Sequence, residues 1–319
     1  MRPVQATDDP ATIGPIDLVL FCVKLWDVES AGAQIRPLIG SETAVVPLQN
    51  GIDVSERLVP ILGASHVLGG VAKVTGSIVA LGVIRQSGKH HGIAFGELDR
   101  QIRPRTERIR DVCQAAGIEP ELSRDIQAER WWKFVGLVAV SGLCALTRRP
   151  IGDLRDDPAI APLIDDAMRE VIDVGRACGV QLASDALETW RAFVRGVPPN
   201  LTPSMAVDLR SGNRLELPWL AGKVVELGKE HGVATPVNRC VCGPETIHER
   251  CARLTAVSRR TGLGRFRILT PAAPATVSAL PLPSARPRIP LHRCKSGDLV
   301  HQKSASEKPN RIMGLMQIS

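Results

Sequence analysis

The sequence contains no tyrosine, and aromatic residues make up only 3% of its 319 residues. Proteins that bind single-stranded nucleic acid stack bases on aromatic side chains, so this scarcity counts against that class of partner. Long apolar runs are also absent: the longest, Phe134 to Leu146, is shorter than the about 20 residues that a membrane helix requires. The N-terminus has no basic segment followed by an apolar one, so we expect no signal peptide.

The cysteines lack the spacing of a disulfide framework. Eight of them occur singly along the chain, which is typical of a reducing compartment, so we expect a soluble cytoplasmic protein. One group near the end reads C-x-C-x₅-H-x₂-C and comprises Cys240, Cys242, His248 and Cys251. Because this spacing is not that of a standard zinc site, we expect no metal.

The positive charge is confined to one end of the chain. The formal net charge is +7, but residues 251–319 contain 12 Lys and Arg against two acids, Asp298 and Glu307. The rest of the chain is therefore mildly acidic, and we expect no nucleic-acid partner. Residues 246–319 are rich in Pro, Ala, Arg and Ser and bury little apolar surface, so we expect a basic tail that is disordered or non-native in origin.

Residues 1–124 have the pattern of an α/β domain. Short apolar runs predict strands over 16–23 and 43–48, and each is followed by a predicted helix, over 27–38 and 53–62. This alternation is typical of a doubly wound, Rossmann-type sheet, in which ligands bind beyond the carboxyl ends of the strands. Lys24 and Asn50 lie at two such ends. Further strands are predicted over 66–71, 77–86 and 92–97, the last two as a hairpin, before a helix over 106–116 and a strand near 118–122.

Residues 125–245 show only helical periodicity, which predicts an all-helical second domain. The predicted helices cover residues 126–146, 158–179, 183–194, 204–210 and 214–231. The first of them contains Lys133 within an apolar run. A lysine there either extends to water along the helix surface or faces a cleft, where burial lowers its pKa and suits it to donate a proton.

Three other polar residues of the helical region are candidates for the same cleft. Ser204 and Asp208 lie in one short segment, and Glu216 opens the predicted last helix. Ser204 suits a substrate carboxylate and Glu216 a substrate hydroxyl. An acid in the first turn of a helix also has a purely structural explanation, because the helix dipole favours it.

In these residues the chain resembles the ketopantoate reductases (2-dehydropantoate 2-reductases). The matching segments are DLVLFCVK (17–24), LQNG (48–51), LGG (68–70), WK (132–133), ALTRRPIG (145–152), PSMAVD (203–208), and the stretch from Glu216 to GVATPVN (232–238). Their order and spacing agree over roughly residues 14–240.

The resemblance implies an NADPH-binding Rossmann-type domain joined to a helical domain like that of 6-phosphogluconate dehydrogenases. It implies reduction of 2-dehydropantoate to (R)-pantoate, in pantothenate and coenzyme A biosynthesis. It is also compatible with a homodimer. Lys133 matches the proton donor, and Glu216 and Ser204 match residues that hold the substrate. Lys24 and Asn50 match residues at the cofactor, with Asn50 also near the reacting carbon.

The chain departs from the family pattern at two places that matter. No G-x-G-x-x-G motif follows a strand and opens a helix, so we expect a domain that lacks its first βαβ unit; a catalytically silent relative without cofactor binding is the alternative. One and two turns after Lys133, where the family commonly has asparagines, stand Leu137 and Ser141. We expect Ser141 to contact the substrate, and the loss of an amide at Leu137 to alter which 2-keto acid is accepted.

Overall fold

A computed structural model describes residues 6–80, 83–243 and 312–316. Its first sheet is parallel, with the strand order β2 (Ile39–Pro47), β1 (Ile16–Cys22) and β6 (Ile312–Met316). The central strand β1 is apolar on both faces because both are covered. Val19 and Phe21 pack with the helices that follow β1 and β2, whereas Leu18 packs on the opposite side.

The second sheet is mixed. A long antiparallel hairpin joins β3 (Gly69–Ala80) to β4 (Val83–Gly96), and β5 (Glu119–Leu122) pairs with β4 in parallel. A single parallel bridge between Val45 and Val67 links the two sheets. The helices of this half are α1 (Val28–Gln34), α2 (Val54–Leu62) and α3 (Pro104–Ala115).

Residues 126–243 are helical throughout, as the sequence predicts. The 22-residue helix α4 (Ile126–Thr147) lies at the centre, and most of its residues are buried. Around it lie α5 (Ile151–Arg155), α6 (Ala161–Ala177), α7 (Ala186–Gly196), α8 (Ser204–Ser211), α9 (Ala221–Glu230) and α10 (236–243). None of the helices in the described ranges is long and apolar enough to cross a membrane.

Two predicted elements are wrong. The hairpin joins Gly69–Ala80 to Val83–Gly96, so it reverses within the span 77–86 that we predicted as one strand. The glycines between the predicted strands lie inside these two long strands instead of ending them. The helix predicted over 214–231 begins only at Ala221. Pro218 lies in a short 3₁₀ turn, Leu217–Trp219, and Leu220 has φ −104° and ψ −103°, which is not helical.

The predicted tail, 246–319, lies outside the described residues except for β6. That strand pairs in parallel with β1, from Leu18 with Ile312 to Cys22 with Met316. No strand is predicted there from the sequence.

Helix α4 is held in place by close packing against α7. A side-chain carbon built on Gly136 would lie 2.1 Å from the ring of Trp190, whose Nε1 donates a hydrogen bond of 2.8 Å to the carbonyl of Trp132. Only glycine permits this approach, because every other residue places a carbon where the indole lies. The rotation of α4, and with it the direction of Lys133, is therefore fixed by a contact one turn away.

Gly136→Ala is expected to lower the free energy of unfolding by about 1–3 kcal/mol, because overpacking outweighs the better helix propensity of alanine. Denaturant unfolding followed by circular dichroism measures this. The matched control is Gly196→Ala at the end of α7, where no atom lies within 4 Å of the added carbon. The control is expected to be as stable as the parent, and equal stability of the two variants would contradict the packing argument.

Candidate active site

The side chain of Lys133 extends from α4 toward the hairpin of the sheet half. Its Nζ donates a hydrogen bond of 2.9 Å to the carbonyl of Ala72 in β3. Among the described residues no carboxylate forms an ion pair with it. Burial without a counter-charge disfavours the ammonium form and lowers the pKa of Lys133 to about 8. The amine thus stays protonated for the most part at neutral pH and has N–H groups left for a ligand.

Lys133 lines a narrow cleft between the sheet half and α4. Its polar lining consists of Gln49, Asn50, Arg130 and Lys133. No Asp or Glu lies among its lining residues. The charge of Arg130 is balanced by Glu56, so Lys133 is the cation of the lining that makes the cleft suitable for an anion.

Arg130, in α4, forms hydrogen bonds with the turn after β2 and with the start of α2. Its guanidinium is buried and donates to the carbonyl of Ile52, to Glu56 Oε2 at 3.1 Å and to Ser55 Oγ at 3.4 Å. Burial lowers the pKa of Arg130, and the negative charge of Glu56 opposes that effect. The sequence analysis missed this residue; its position one turn before Lys133, on the same side of the helix, was the available signal.

Lys24 and Glu216 form a second cluster, across the two halves. Lys24 Nζ donates to Asp208 Oδ2 at 3.2 Å and lies 4.0 Å from Glu216 Oε2, while the backbone N–H of Leu25 donates to Glu216 Oε1 at 3.0 Å. Burial raises the pKa of the Glu216 carboxyl, and the charge of Lys24 partly offsets this shift. Asn213 completes the group by donating to Asp208 Oδ1 at 3.0 Å.

Two adjacent indoles lie beside this cluster, and Lys24 Nζ is 5.6 Å from the ring centroid of Trp26. Trp26, after β1, and Trp219, before α9, have ring centroids 6.5 Å apart. The guanidinium of Arg214 lies 4.8 Å from the first ring and 5.7 Å from the second. Such cation–π contacts stabilise the junction between the halves modestly. Sequence reasoning missed the group, since nothing in the local pattern around either tryptophan predicts the pairing.

Gly51 connects the cluster to the cleft. It has φ +96°, a conformation that glycine adopts readily. A side-chain carbon built on it would lie 3.6 Å from Leu25 and 3.7 Å from the carbonyl oxygen of Trp219. The turn that carries Gln49 and Asn50 therefore contacts both the segment after β1 and the segment before α9.

The two predicted serines lie outside the residues that line the cleft. Ser204 is exposed at the first position of α8. Ser141 is buried in α4 and donates its hydroxyl proton to the carbonyl of Leu137, one turn earlier. Leu137 itself does line the cleft, as do Val71 and Phe134, so one wall is apolar. The structure thus brings Asn50 and Lys133 together, joins Lys24 to Glu216, and brings neither serine to the cleft.

No group of three or more potential metal ligands occurs within the described ranges. Cys240 of the spacing considered above is a free thiol there. His248 and Cys251 lie outside the described residues.

Comparison with known proteins identifies the family. The model "Ketopantoate reductase PanE/ApbA" matches residues 1–100, and "Ketopantoate reductase PanE/ApbA C terminal" matches residues 125–244. The chain belongs to the ketopantoate reductase family. The fold is accordingly that of the family, a Rossmann-like sheet domain followed by a helical C-terminal domain.

Individual relatives agree with this assignment. The 2-dehydropantoate 2-reductase of Caulobacter vibrioides is 28% identical over 237 residues, which cover 74% of this chain and 79% of the relative. The crystal structure of a PanE/ApbA family ketopantoate reductase from Ralstonia eutropha JMP134 superposes with a TM-score of 0.72 at 28% identity, covering 78% of this chain and 81% of that one. The dimeric ketopantoate reductase of Staphylococcus aureus shares the fold, with a TM-score of 0.65 at 20% identity and coverage of 75% and 79%.

Lys133→Met is expected to stabilise the protein at neutral pH, because methionine keeps the apolar stem and removes a charge from the interior. The folded-state pKa of about 8 is below the ordinary 10.5. Between these values the unfolded chain binds more protons, so the stability contributed by Lys133 rises with pH. The gain of the variant is therefore largest below pH 8, where it is at most about 3 kcal/mol, and shrinks toward pH 10.5.

Denaturant unfolding of both proteins at intervals from pH 7 to pH 10.5 measures this difference. The matched control is Lys229→Met on the exposed side of α9, which is expected to stay within about 0.5 kcal/mol of the parent. A Lys133→Met variant that is less stable than the parent at pH 7 would contradict a lysine destabilised by burial.

Proposed function

We propose that this chain reduces the keto group of a small 2-keto acid with NADPH, with 2-dehydropantoate and (R)-pantoate as the first substrate and product to test. The reaction would serve pantothenate and coenzyme A biosynthesis in the cytoplasm. Membership of a reductase family supports the class of reaction. The observation that carries the proposal is Lys133, a partly buried amine with a lowered pKa in a cleft that it shares with Asn50.

Lys133 suits the role of general acid. Reduction of a keto group places negative charge on its oxygen, and a donor with a pKa near the working pH transfers a proton most effectively. The pKa of Lys133, about 8, meets that requirement. Because the amine is partly buried, the ammonium group also stabilises the developing charge more strongly than it would in bulk solvent.

The residues at the carboxyl ends of β1 and β2 fit a nicotinamide. Gln49 and Asn50 follow β2 and line the cleft, and the side-chain amide of Gln49 is buried without a partner among the described residues. Lys24 follows β1 and holds the neighbouring cluster. We propose that Lys24 and Asn50 bind the cofactor, which when bound supplies the hydride. We propose NADPH rather than NADH because the chain resembles the ketopantoate reductases.

The substrate would lie between the cofactor and α4. Lys133 attracts its carboxylate into a cleft whose lining contains no acid, and Leu137 presents an apolar wall to its carbon chain. We keep Glu216 and Ser204 as residues that hold the substrate, and Ser141 as a contact, on the strength of the resemblance. For Glu216, the buried carboxylate beside Lys24 supports this role. A homodimer, as in the dimeric relative of Staphylococcus aureus, is part of the same proposal.

Lys133→Ala is expected to lower kcat for 2-dehydropantoate at least about a hundredfold, because the general acid is lost. In the parent, kcat is expected to fall as pH rises through about 8, since the active form is the protonated amine, and that limb should vanish in the variant. Steady-state assays of NADPH consumption at pH 6–10 measure both effects.

Lys73→Ala is the matched control for this experiment. Lys73 follows Ala72 in β3, but its side chain is 38% exposed and pairs with Glu121 and Glu129, so its loss is expected to leave kcat within twofold. Turnover of Lys133→Ala within twofold of the parent would refute the general-acid role. A parent chain that binds no NADPH by nicotinamide fluorescence would favour the silent relative instead.

A further inference from the structure

Gln49 holds the most conspicuous unpaired polar group of the cleft. Both heteroatoms of its carboxamide, Nε2 and Oε1, are buried, and neither has a hydrogen-bond partner among the described residues. Buried polar groups are nearly always paired, and an unpaired one costs stability comparable to a lost hydrogen bond. An amide left in this state beside a cleft is therefore a candidate for pairing with a ligand.

The neighbours of Gln49 do not supply the missing partners. Arg130 directs its guanidinium to the carbonyl of Ile52 and to Ser55 and Glu56. Lys133 donates to the carbonyl of Ala72. The remaining side chains of the cleft include Val71, Phe134 and Leu137, which have no polar atoms.

We propose that Gln49 is a specificity-determining residue, whose carboxamide binds a neutral ligand group that both donates and accepts a hydrogen bond. Two parts of the proposed ligands have this chemistry, a hydroxyl on the substrate and the carboxamide of the nicotinamide. A carboxylate does not, because it would satisfy Nε2 and repel Oε1. In this cleft Lys133 attracts the carboxylate, which leaves Gln49 to select the neutral group. The identity of the ligands rests on the proposed function.

Gln49→Leu tests whether the amide is unpaired in the protein without ligand. Leucine has a similar volume and no polar atoms, so removing an unpaired buried amide is expected to raise the unfolding temperature of the apo protein by about 2–4 °C. The matched control is Gln114→Leu in α3, where the side chain is exposed and little change is expected. A temperature for Gln49→Leu that is unchanged or lower than the parent's would overturn the inference.

Ligand measurements on the same variant identify which group Gln49 binds. The two substrates are 2-dehydropantoate and 3,3-dimethyl-2-oxobutanoate, which is the same 2-keto acid without its hydroxyl. If Gln49 binds the hydroxyl, kcat/KM of Gln49→Leu falls about tenfold or more for 2-dehydropantoate and stays within twofold for the deoxy acid. If it binds the nicotinamide, the Kd for NADPH measured by fluorescence rises about tenfold or more and both acids are affected alike.

Failure of the inference and failure of the proposed function give different results. Gln49→Leu with unchanged NADPH affinity and unchanged kcat/KM for both acids would overturn the inference while the parent's activity upholds the function. A parent that binds no NADPH and reduces neither acid would refute the function. The apo unfolding temperatures would then decide the inference alone: an increase for Gln49→Leu supports an amide kept unpaired for a ligand, and no increase overturns it.

Discussion

The guanidinium of Arg130 is the contact on which the geometry of the cleft depends. It arises from α4 and is buried against the turn after β2, where it bonds the carbonyl of Ile52 and the carboxylate of Glu56. Burying a charge is costly unless it is paired and hydrogen-bonded, and Arg130 has both a counter-ion and a backbone acceptor. The turn and the helix are thus joined directly, and Asn50 from the sheet half and Lys133 from the helical half line the same cleft.

The contrast between Arg130 and Lys133, one turn apart, explains how one helix serves both structure and chemistry. Arg130 has a negatively charged partner in Glu56, which opposes the effect of burial on its pKa. Lys133 has only the neutral carbonyl of Ala72, and burial dominates its pKa. The first therefore stays charged and fixed, whereas the second can exchange a proton at moderate pH. A carboxylate placed beside Lys133 would remove that difference.

The strands and helices that carry the cleft residues are predictable from the local sequence pattern. The contacts between segments that are distant in sequence are not. The apolar runs ending at Lys24 and near Asn50 predict buried strands, and the long apolar stretch around Lys133 predicts α4, because periodicity reports local structure. The bond between Arg130 and Ile52 joins residues 78 positions apart, and the unpaired amide of Gln49 is defined by what surrounds it in space. Pairing of β6 with β1 likewise depends on distant segments. Contacts of this kind leave no trace in local spacing.

Helix geometry explains why Leu137 lines the cleft and Ser141 does not. At 3.6 residues per turn each residue rotates by about 100°, so the position four residues after Lys133 is displaced by about 40° and the position eight residues after it by about 80°. Leu137 stays on the side that faces the turn after β2, while Ser141 turns into the helical core and donates its hydroxyl proton to the carbonyl of Leu137. The sequence prediction treated both positions as sharing one side with Lys133, which holds for one turn and weakens over two. An apolar residue occupies the nearer position and the hydroxyl at the farther one is already bonded. The side chains by which α4 lines the cleft are therefore either charged, Arg130 and Lys133, or apolar, Phe134 and Leu137. Recognition of a neutral polar group therefore falls to the turn on the opposite wall, where Gln49 and Asn50 lie.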